Sequence, residues 1–323
     1  MIDCSPKNLR TLSILGQRRT IGSVLYDLAK DNEKIFALTA DQAALIALNR
    51  FEETYPERYL NLGISEQNAV GVASGLANEG FVPFLIFQAA FTSFRCTDQI
   101  KVNMSYMKSP VKLVGIFSGL TLGDCGPTHY DTQDIALMRT MPNITVLSPA
   151  DTLETAKMVE ACANLDIPVY IRLSGEINSP IVYREDYDFE IGKAITLKDG
   201  SDVAIIATGT MVNNSLKASK ILEEQGISTK VVNMHTIKPL DVEAIKECCN
   251  AKLIVTVEEH SIYGGLGGAV SEVLAQEKIA PQQLIIGLAD VYEKAGEYPY
   301  LIEKYGLNPE QIAEKIIRKY KGE

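Results

Sequence analysis

The sequence has little that would support metal, disulfide or membrane chemistry. Its three histidines are few for a poly-histidine metal centre, and its six cysteines include no Cys-x-x-Cys spacing, so neither a zinc site nor a disulfide framework is expected. This cysteine pattern is typical of a reduced cytoplasm, which is where we expect the protein. The longest apolar stretch, residues 81–91, is shorter than the ~20 residues of a membrane-spanning helix. With 31 basic against 41 acidic residues, the chain also lacks the positive charge that favours nucleic acid binding.

Short apolar runs alternate with longer amphipathic segments, which predicts strands joined by helical crossovers and hence mainly parallel sheets. The first half predicts strands at 35–39, 83–87, 111–117, 144–147 and 169–173, and helices at 21–30, 66–78, 92–107 and 152–163. After an irregular stretch, the second half predicts strands at 203–208, 229–234, 253–257 and 284–288, and helices at 214–225, 242–249, 268–277 and 309–320. The predicted fold class is α/β, with two consecutive domains at residues 1–182 and 183–323.

Glu66 stands at the start of a predicted helix, in the run Gly63-Ile64-Ser65-Glu66-Gln67-Asn68. A carboxylate in a first helical turn is stabilised by the helix dipole and free backbone amides, so a structural role is the commoner explanation. The alternative is a functional carboxylate, because the run follows an extended segment and ligands bind at the carboxyl ends of parallel strands. The sequence alone leaves both interpretations open.

A glycine-rich loop, residues 119–129, follows the predicted strand 111–117 and ends in His129. Long structured loops tend to be functional, and a histidine can donate hydrogen bonds or transfer protons near neutral pH. A loop histidine that is bound only by backbone groups is an equally good interpretation.

Phe91 and Phe94 follow the predicted strand 83–87 at the start of a predicted helix. Their i,i+3 spacing favours a position in the core. Aromatic side chains also line pockets for flat heterocycles, which is the functional alternative.

Three chemistry-bearing residues, Glu258, Glu259 and His260, precede a glycine run at 264–268. The run is not a GxGxxG motif and has no Walker lysine, so close packing of a strand against a helix, or an interface loop, is favoured over a phosphate cradle. His235, before a proline turn, is interpreted as structural.

Together these motifs resemble the transketolase family. The resemblance rests on residues 63–68, Gly126-Pro127-Thr128-His129, 134–139, Pro142-Asn143, Ser148-Pro149-Ala150-Asp151 and Val257-Glu258-Glu259-His260 with its glycine run. It covers essentially the whole chain, but only the C-terminal half of a full-length transketolase. The motifs are specific to thiamine diphosphate enzymes of the transketolase and deoxyxylulose-phosphate synthase group, and less specific within that group.

The resemblance implies a thiamine diphosphate-binding fold, here the pyrimidine-binding domain, followed by a transketolase C-terminal-like domain. It also implies the C-terminal subunit of a split enzyme, because the sequence contains no Gly-Asp-Gly followed by Asn, the family's diphosphate- and metal-binding motif. A partner N-terminal subunit is then expected to carry the diphosphate and an Mg²⁺ or Ca²⁺ ion. The expected assembly is α2β2, with no metal site in this chain.

The implied activity is transfer of a two-carbon ketol unit from a ketose donor to an aldose acceptor. Glu66 matches the family acid that hydrogen-bonds the aminopyrimidine ring, and Phe91 and Phe94 match its aromatic wall. Asp41 matches an acid on the thiazolium side, and His129 matches a residue that binds substrate oxygens. A deoxyxylulose-phosphate synthase-like subunit, a 2-oxo acid dehydrogenase beta-like subunit and a non-catalytic scaffold subunit are the alternatives.

The substrate pocket departs from the family pattern. Arg18 keeps the first arginine of the phosphate-binding set, whereas its serine, histidine and second arginine fall at Leu45, Phe117 and Gly175. An acid that contacts the acceptor falls at Cys125, beside Asp124, and a tyrosine that closes the pyrimidine pocket falls at Thr97. Because phosphate binding needs cationic and bidentate donors, these changes imply a non-standard substrate, namely an unphosphorylated, differently charged or modified sugar.

Overall fold

The computed structural model describes residues 3–292 and 294–322, and over these residues the strands form two sheets. The strands are β1 Ile35–Thr39, β2 Tyr59–Asn61, β3 Val82–Gln88, β4 Lys112–Ile116, β5 Thr145–Leu147, β6 Val169–Arg172, β7 Ile195–Lys198, β8 Val203–Ala207, β9 Thr229–Asn233, β10 Thr236–Lys238, β11 Leu253–Ser261 and β12 Gln282–Leu288. The first sheet has the order β10-β5-β6-β4-β3-β1-β2, and the second has the order β12-β11-β8-β9-β7.

Most neighbouring strands in both sheets are parallel, and helices run between them. The pairs β10–β5 and β7–β9 are antiparallel. The helices are α1 Pro6–Leu15, α2 Gln17–Asp31, α3 Asn49–Thr54, α4 Glu66–Asn78, α5 Thr97–Gln99, α6 Asp134–Thr140, α7 Thr152–Ala163, α8 Met211–Glu224, α9 Val242–Cys248, α10 Leu266–Leu274, α11 Tyr298–Lys304 and α12 Pro309–Lys321. The predicted architecture of two consecutive α/β units with mainly parallel sheets is confirmed.

For several helices and strands, local sequence patterns predicted both ends at the correct residue. The bounds of β1, α4 and α7 coincide with the predicted segments. The carboxylate of Asp151 caps α7 by accepting a hydrogen bond from the Glu154 amide at 2.8 Å, as expected of an aspartate at that position.

The predicted helix 92–107 is instead a composite segment. Phe91–Arg95 and Ile100–Tyr106 are π-helical turns on either side of α5, and the Met107 amide donates across five residues to the Val102 carbonyl at 3.0 Å. A π-helical turn is wider than an α-helical one, so residues three apart no longer share a face. The core position predicted for Phe94 is therefore wrong, since this side chain is 57% exposed.

Strand β10 ties the second half of the chain to the first sheet, where the sequence predicted only a proline turn. It pairs with β5, and the Ser148 amide donates to the His235 carbonyl at 2.8 Å. His235 is fully buried with Nδ1 3.0 Å from the Thr236 hydroxyl, and burial lowers its pKa to about 4. These contacts agree with a structural role for His235. Core residues of both sheets, such as Leu85 and Ile206, share one apolar cluster.

Candidate active site

The predicted site residues follow four adjacent strands of the first sheet. Asp41 follows β1, Glu66 follows β2, Phe91 follows β3, and the loop that contains His129 follows β4. Because β2, β1, β3 and β4 are parallel neighbours, these segments leave the sheet at the same edge. Carboxyl edges of parallel sheets are where α/β proteins bind ligands.

Glu66 is the first residue of α4 and is 3% exposed. Gly63, with a φ of 68°, makes the turn before the helix, and the Ser65 hydroxyl donates to the Leu62 carbonyl at 2.7 Å. The carboxylate of Glu66 accepts a hydrogen bond from Nη1 of Arg95 on Oε1 at 2.7 Å, which is also an ion pair. The position at a helix N-terminus and this cation together stabilise a carboxylate that is almost without water.

Three further contacts extend this pair into a continuous cluster. The guanidinium carbon of Arg95 lies 4.0 Å from the centroid of the Phe91 ring. The Phe91 ring in turn meets the His129 ring edge to face, with centroids 5.8 Å apart and planes at 70°. The His129 ring is also held within its own loop by the Thr128 hydroxyl, 2.9 Å from Nδ1. The structure therefore brings Glu66, Phe91 and His129 together through Arg95.

The loop that carries His129 is closed and anchored by Asp131. The backbones of Gly119 and Asp131 exchange two hydrogen bonds, of 2.8 and 3.1 Å, across the base of the loop. The Asp131 carboxylate accepts the Ser93 hydroxyl on Oδ2, and it accepts the amides of Gln133 and Asp134 on Oδ1. Burial and the nearby Asp134 carboxylate raise the pKa of Asp131 to about 7.

Glu259, from the second sheet, holds the start of the same loop. Its Oε1 accepts the Leu120 amide at 2.7 Å, and its Oε2 accepts the hydroxyls of Thr210 at 2.5 Å and Tyr298 at 2.8 Å. Burial raises the pKa of the Glu259 carboxyl, while the guanidinium of Arg172 opposes that rise. A buried acid from one half of the chain thus positions the His129 loop of the other half.

A second cluster surrounds Arg18, at the start of α2. Its Nε donates to the Gly175 carbonyl at 2.7 Å, and its Nη1 donates to the Leu45 carbonyl. Its guanidinium carbon lies 4.9 Å from the Phe117 ring centroid. A Cβ on residue 175 would lie only 2.1 Å from Cδ1 of Phe117, so this ring fills the space that a side chain at Gly175 would need. The four positions matched to a phosphate pocket are therefore neighbours, and the one cation among them binds protein carbonyls.

Asp41 and Cys125, like Phe94, are exposed. Asp41 has a φ of 61°, and its amide donates to Oδ1 of Asn61 at 3.0 Å, which connects the turns after β1 and β2. Cys125 ends a 3₁₀ turn, Gly123–Cys125, in the His129 loop, and its thiol is free.

The glycine run of the second half, residues 264–268, binds a carboxylate of the protein itself. The amides of Leu266 and Gly267, at the start of α10, each donate to the Glu258 carboxylate at 2.7 Å. A Cβ on Gly265 would lie 2.0 Å from Oε2 of the same carboxylate. The run therefore serves the packing of α10 on β11, the interpretation that the sequence favoured over a phosphate cradle.

Three residues of the site, Arg95, Ser93 and Asp131, were missed from the sequence, and Glu259 was singled out there without its role in holding the His129 loop. Arg95 carries a local signal, since a cation four residues after an aromatic residue on a helical segment can lie over its ring. Asp131, Ser93 and Glu259 act through contacts between segments distant in sequence, which no local pattern encodes.

Two classes of feature are lacking in the part of the chain that the structure describes. No group of three or more His, Cys, Asp or Glu side chains is placed to hold a metal ion. No described helix combines the length and the apolar character needed to cross a membrane.

Comparison with known families matches nearly all of the chain. Residues 15–177 match the family described as transketolase, pyrimidine binding domain, and residues 192–312 match the transketolase C-terminal domain. A Methanocaldococcus jannaschii protein provisionally named as a transketolase C-terminal section is 40% identical over 310 residues, which is 95% of this chain and 97% of that protein. One of the apulose-4-phosphate transketolase subunits of Phocaeicola vulgatus is 36% identical over 94% of this chain and 97% of its own length.

A solved structure shares the fold over the same extent. It is described as a split gene transketolase, inactive beta4 tetramer, and it superposes with a TM-score of 0.86 at 37% identity. The superposition covers 95% of this chain and 98% of the solved chain.

Proposed function

This chain belongs to the transketolase family, and from that we propose that it is the C-terminal subunit of a split, thiamine diphosphate-dependent enzyme. Its reaction is the transfer of a two-carbon ketol unit from a ketose donor to an aldose acceptor. The observation that carries the proposal is the cluster at the carboxyl edge of the first sheet, in which Arg95 connects the buried Glu66 to Phe91, and Phe91 contacts His129. The division into a pyrimidine-binding domain, 1–182, and a C-terminal domain, 183–323, is part of the proposal, and residues 1, 2, 293 and 323 lie outside the described residues.

The residues of this cluster fit the cofactor. Glu66 offers a carboxylate that is 3% exposed, which suits a hydrogen bond to a ring nitrogen, and Phe91 offers an aromatic face beside it. Phe94 would shield the ring from the outside, and Asp41 would lie on the thiazolium side. When bound, thiamine diphosphate supplies the electron sink for carbanion chemistry at the ketose carbonyl.

The chain's own groups then bind and orient the reactants. Glu66 holds a proton or a hydrogen bond at the pyrimidine ring, in a site that excludes most water. His129 donates to substrate oxygens as charge develops on them, since Phe91 and Thr128 fix the direction of its ring. Cys125 and Arg18 complete the substrate side of the site.

A partner subunit would complete the cofactor site by binding the diphosphate with Mg²⁺ or Ca²⁺. Several large apolar side chains just before α4 and on the segment that packs against it are exposed, namely Ile64 at 78%, Phe94 at 57%, Tyr106 at 81% and Met107 at 55%. Their segments pack together, because Nε2 of Gln67 on α4 donates to the Arg95 carbonyl at 2.9 Å. Exposed apolar groups on neighbouring segments are typical of interaction surfaces, so we propose that the N-terminal subunit binds here in an α2β2 assembly.

The substrate we propose is a sugar without the usual terminal phosphate. Of the four positions matched to the phosphate pocket only Arg18 carries a cation, and two of its N–H groups already donate to the Leu45 and Gly175 carbonyls. The side chains at Leu45, Phe117 and Gly175 offer no donor for an anion. The reconstituted enzyme should therefore show a higher kcat/KM on unphosphorylated ketoses than on xylulose 5-phosphate. A strong preference for the phosphorylated ketose would contradict this specificity and leave the transferase function intact.

The function is tested by reconstitution with a chain that carries Gly-Asp-Gly and a downstream Asn. We expect ketol transfer by the pair, little or none by this chain alone, and a loss of at least about 100-fold in turnover on Glu66→Gln, the scale of a general acid–base contribution. Release of carbon dioxide from pyruvate would instead favour a deoxyxylulose-phosphate synthase or 2-oxo acid dehydrogenase subunit. Turnover that is insensitive to Glu66→Gln would favour a scaffold subunit.

A further inference from the structure

The guanidinium of Arg95 makes the two contacts that a flat, hydrogen-bonding ring would make in the same place, namely stacking on an aromatic ring and a hydrogen bond to a carboxylate. Its guanidinium carbon lies 4.0 Å from the centre of the Phe91 ring, and its Nη1 lies 2.7 Å from Oε1 of Glu66. A guanidinium is planar and delocalised, stacks on aromatic faces and donates hydrogen bonds from its edge. The space between Phe91 and Glu66 is therefore occupied by a planar donor that belongs to the protein itself.

The same two residues are the ones that the proposed function assigns to the aminopyrimidine ring. That ring needs an aromatic face at Phe91 and a hydrogen bond at the Glu66 carboxylate. Atoms in cores pack without overlap, so two planar groups cannot both use this face and this oxygen. Arg95 and the ring are therefore competitors.

The exposures of the two partners show which of them can move. The side chain of Glu66 is 3% exposed, whereas that of Arg95 is 42% exposed. The backbone of Arg95 is held by the hydrogen bond from Gln67 to its carbonyl, but the long side chain can turn into water. Glu66 cannot be left alone, because a buried carboxylate without a donor is costly. Exchanging one planar donor for another keeps it satisfied throughout.

We propose that Arg95 is an internal stand-in for the cofactor's pyrimidine ring. It occupies Phe91 and Glu66 in the chain without cofactor, and it leaves both when the cofactor binds. This inference rests on the proposed function, since it takes Phe91 and Glu66 as the ring-binding residues. On this inference Arg95 sets the affinity for the cofactor. Its side chain also covers Phe91 and Glu66 before the cofactor binds.

The test is calorimetric titration of thiamine diphosphate, with Mg²⁺ present, into the reconstituted complex of both subunits. Arg95→Ala should bind the cofactor about 3- to 10-fold more tightly than the wild type, because an apparent Kd scales inversely with the fraction of open sites. The matched control is Arg50→Ala, since the Arg50 guanidinium also stacks on an aromatic ring, 3.7 Å from the centroid of Tyr26. This control should leave the Kd unchanged. Unchanged or weaker binding by Arg95→Ala would overturn the inference.

A structure of the unaltered complex with the cofactor decides the question even if Arg95→Ala fails to fold. We expect the Arg95 guanidinium to lie beyond the ~6 Å limit of cation–π contact from the Phe91 ring. A guanidinium that remains over Phe91 and bonded to Glu66 beside a bound cofactor would refute the displacement and leave the proposed function standing. A wild-type complex that binds no cofactor would refute the proposed function and this inference together.

Discussion

The Ser93 hydroxyl donates a hydrogen bond to Oδ2 of Asp131, and this contact joins the segment of Phe91 to the loop of His129. Both side chains are buried, with exposures of 0% and 1%. The Phe91 and His129 rings therefore keep their edge-to-face arrangement through a buried polar link between segments that follow different strands.

Replacing Ser93 with alanine should loosen the His129 loop relative to Phe91. The free energy of unfolding should fall by about 1–3 kcal/mol, the value of a buried hydrogen bond to a carboxylate. Turnover of the reconstituted enzyme should fall roughly 10-fold, since small misplacements of positioned groups are costly. Urea unfolding and steady-state kinetics measure the two effects.

Ser215→Ala is the matched control for this substitution. Ser215 is also fully buried, but its hydroxyl has no hydrogen-bond partner within residues 3–292 and 294–322. Its replacement should leave turnover unchanged and should keep or slightly raise stability, because it removes an unsatisfied polar group. Wild-type turnover by Ser93→Ala would contradict the positioning role of the Ser93–Asp131 contact.

Glu259→Gln should increase the mobility of the His129 loop. The amide oxygen of glutamine can still accept the Leu120 amide, but without the negative charge the hydrogen bond is weaker by about 1.5 kcal/mol, which predicts roughly 10-fold faster amide hydrogen exchange over residues 119–129. Glu258→Gln is the adjacent control, because the Glu258 carboxylate binds the amides of Leu266 and Gly267 instead. Equal exchange in the two variants would show that Glu259 does not hold the loop.

Stability should fall as the pH rises from 6.5 to 8. Burial raises the pKa values of Asp131, Glu154 and Glu258 to about 7, above their unfolded values of 3.8, 4.5 and 4.5. The stabilising contribution of each carboxyl is fully present below its unfolded pKa and is lost as the pH rises through 7. Between pH 6.5 and 8 the three carboxyls together should lower the free energy of unfolding by about 2 kcal/mol. Burial lowers the pKa values of His235 and His260 to about 4. Their contribution to the stability of the protein is therefore lost only as the pH falls below the unfolded value of 6.5, and it does not change between pH 6.5 and 8.

Glu154→Gln tests this pH dependence directly. It should reduce the loss of unfolding free energy between pH 6.5 and 8 by about 1 kcal/mol, since one titrating carboxyl is removed. Glu314→Gln, on the exposed ion pair with Arg318 in α12, should leave the slope unchanged. Chemical denaturation at a series of pH values gives the slopes, and identical slopes for wild type and Glu154→Gln would be the contrary result.

Gly175 and Phe117 should be energetically coupled. Gly175→Ala forces a methyl group against the Phe117 ring and should cost about 1–3 kcal/mol. In a Phe117→Ala background the same substitution should cost much less, so a double-mutant cycle should give a coupling of at least about 1 kcal/mol. Gly71→Ala is the control, because among the described residues nothing lies within 4 Å of its Cβ, and it should stabilise α4 by up to about 1 kcal/mol.

The sequence was sufficient for elements that local forces define. Apolar periodicity located β1, α4 and α7. Strand β10 was missed because three residues have no periodicity of their own, and this strand exists through its pairing with β5. The π-helical turns were missed because their hydrogen-bond spacing is not encoded in the hydrophobic pattern.

The same division applies to the site. The sequence by itself determined the fold class, the family and the strand ends that carry Glu66, Phe91 and His129, because residue type and local order are enough for each. Only the tertiary structure decided that Arg95 joins Glu66 to Phe91 and that Glu259 holds the His129 loop. The Arg95–Glu66 contact joins residues 29 positions apart and the Glu259–Leu120 contact joins residues 139 positions apart, so both arise only once distant segments are packed together.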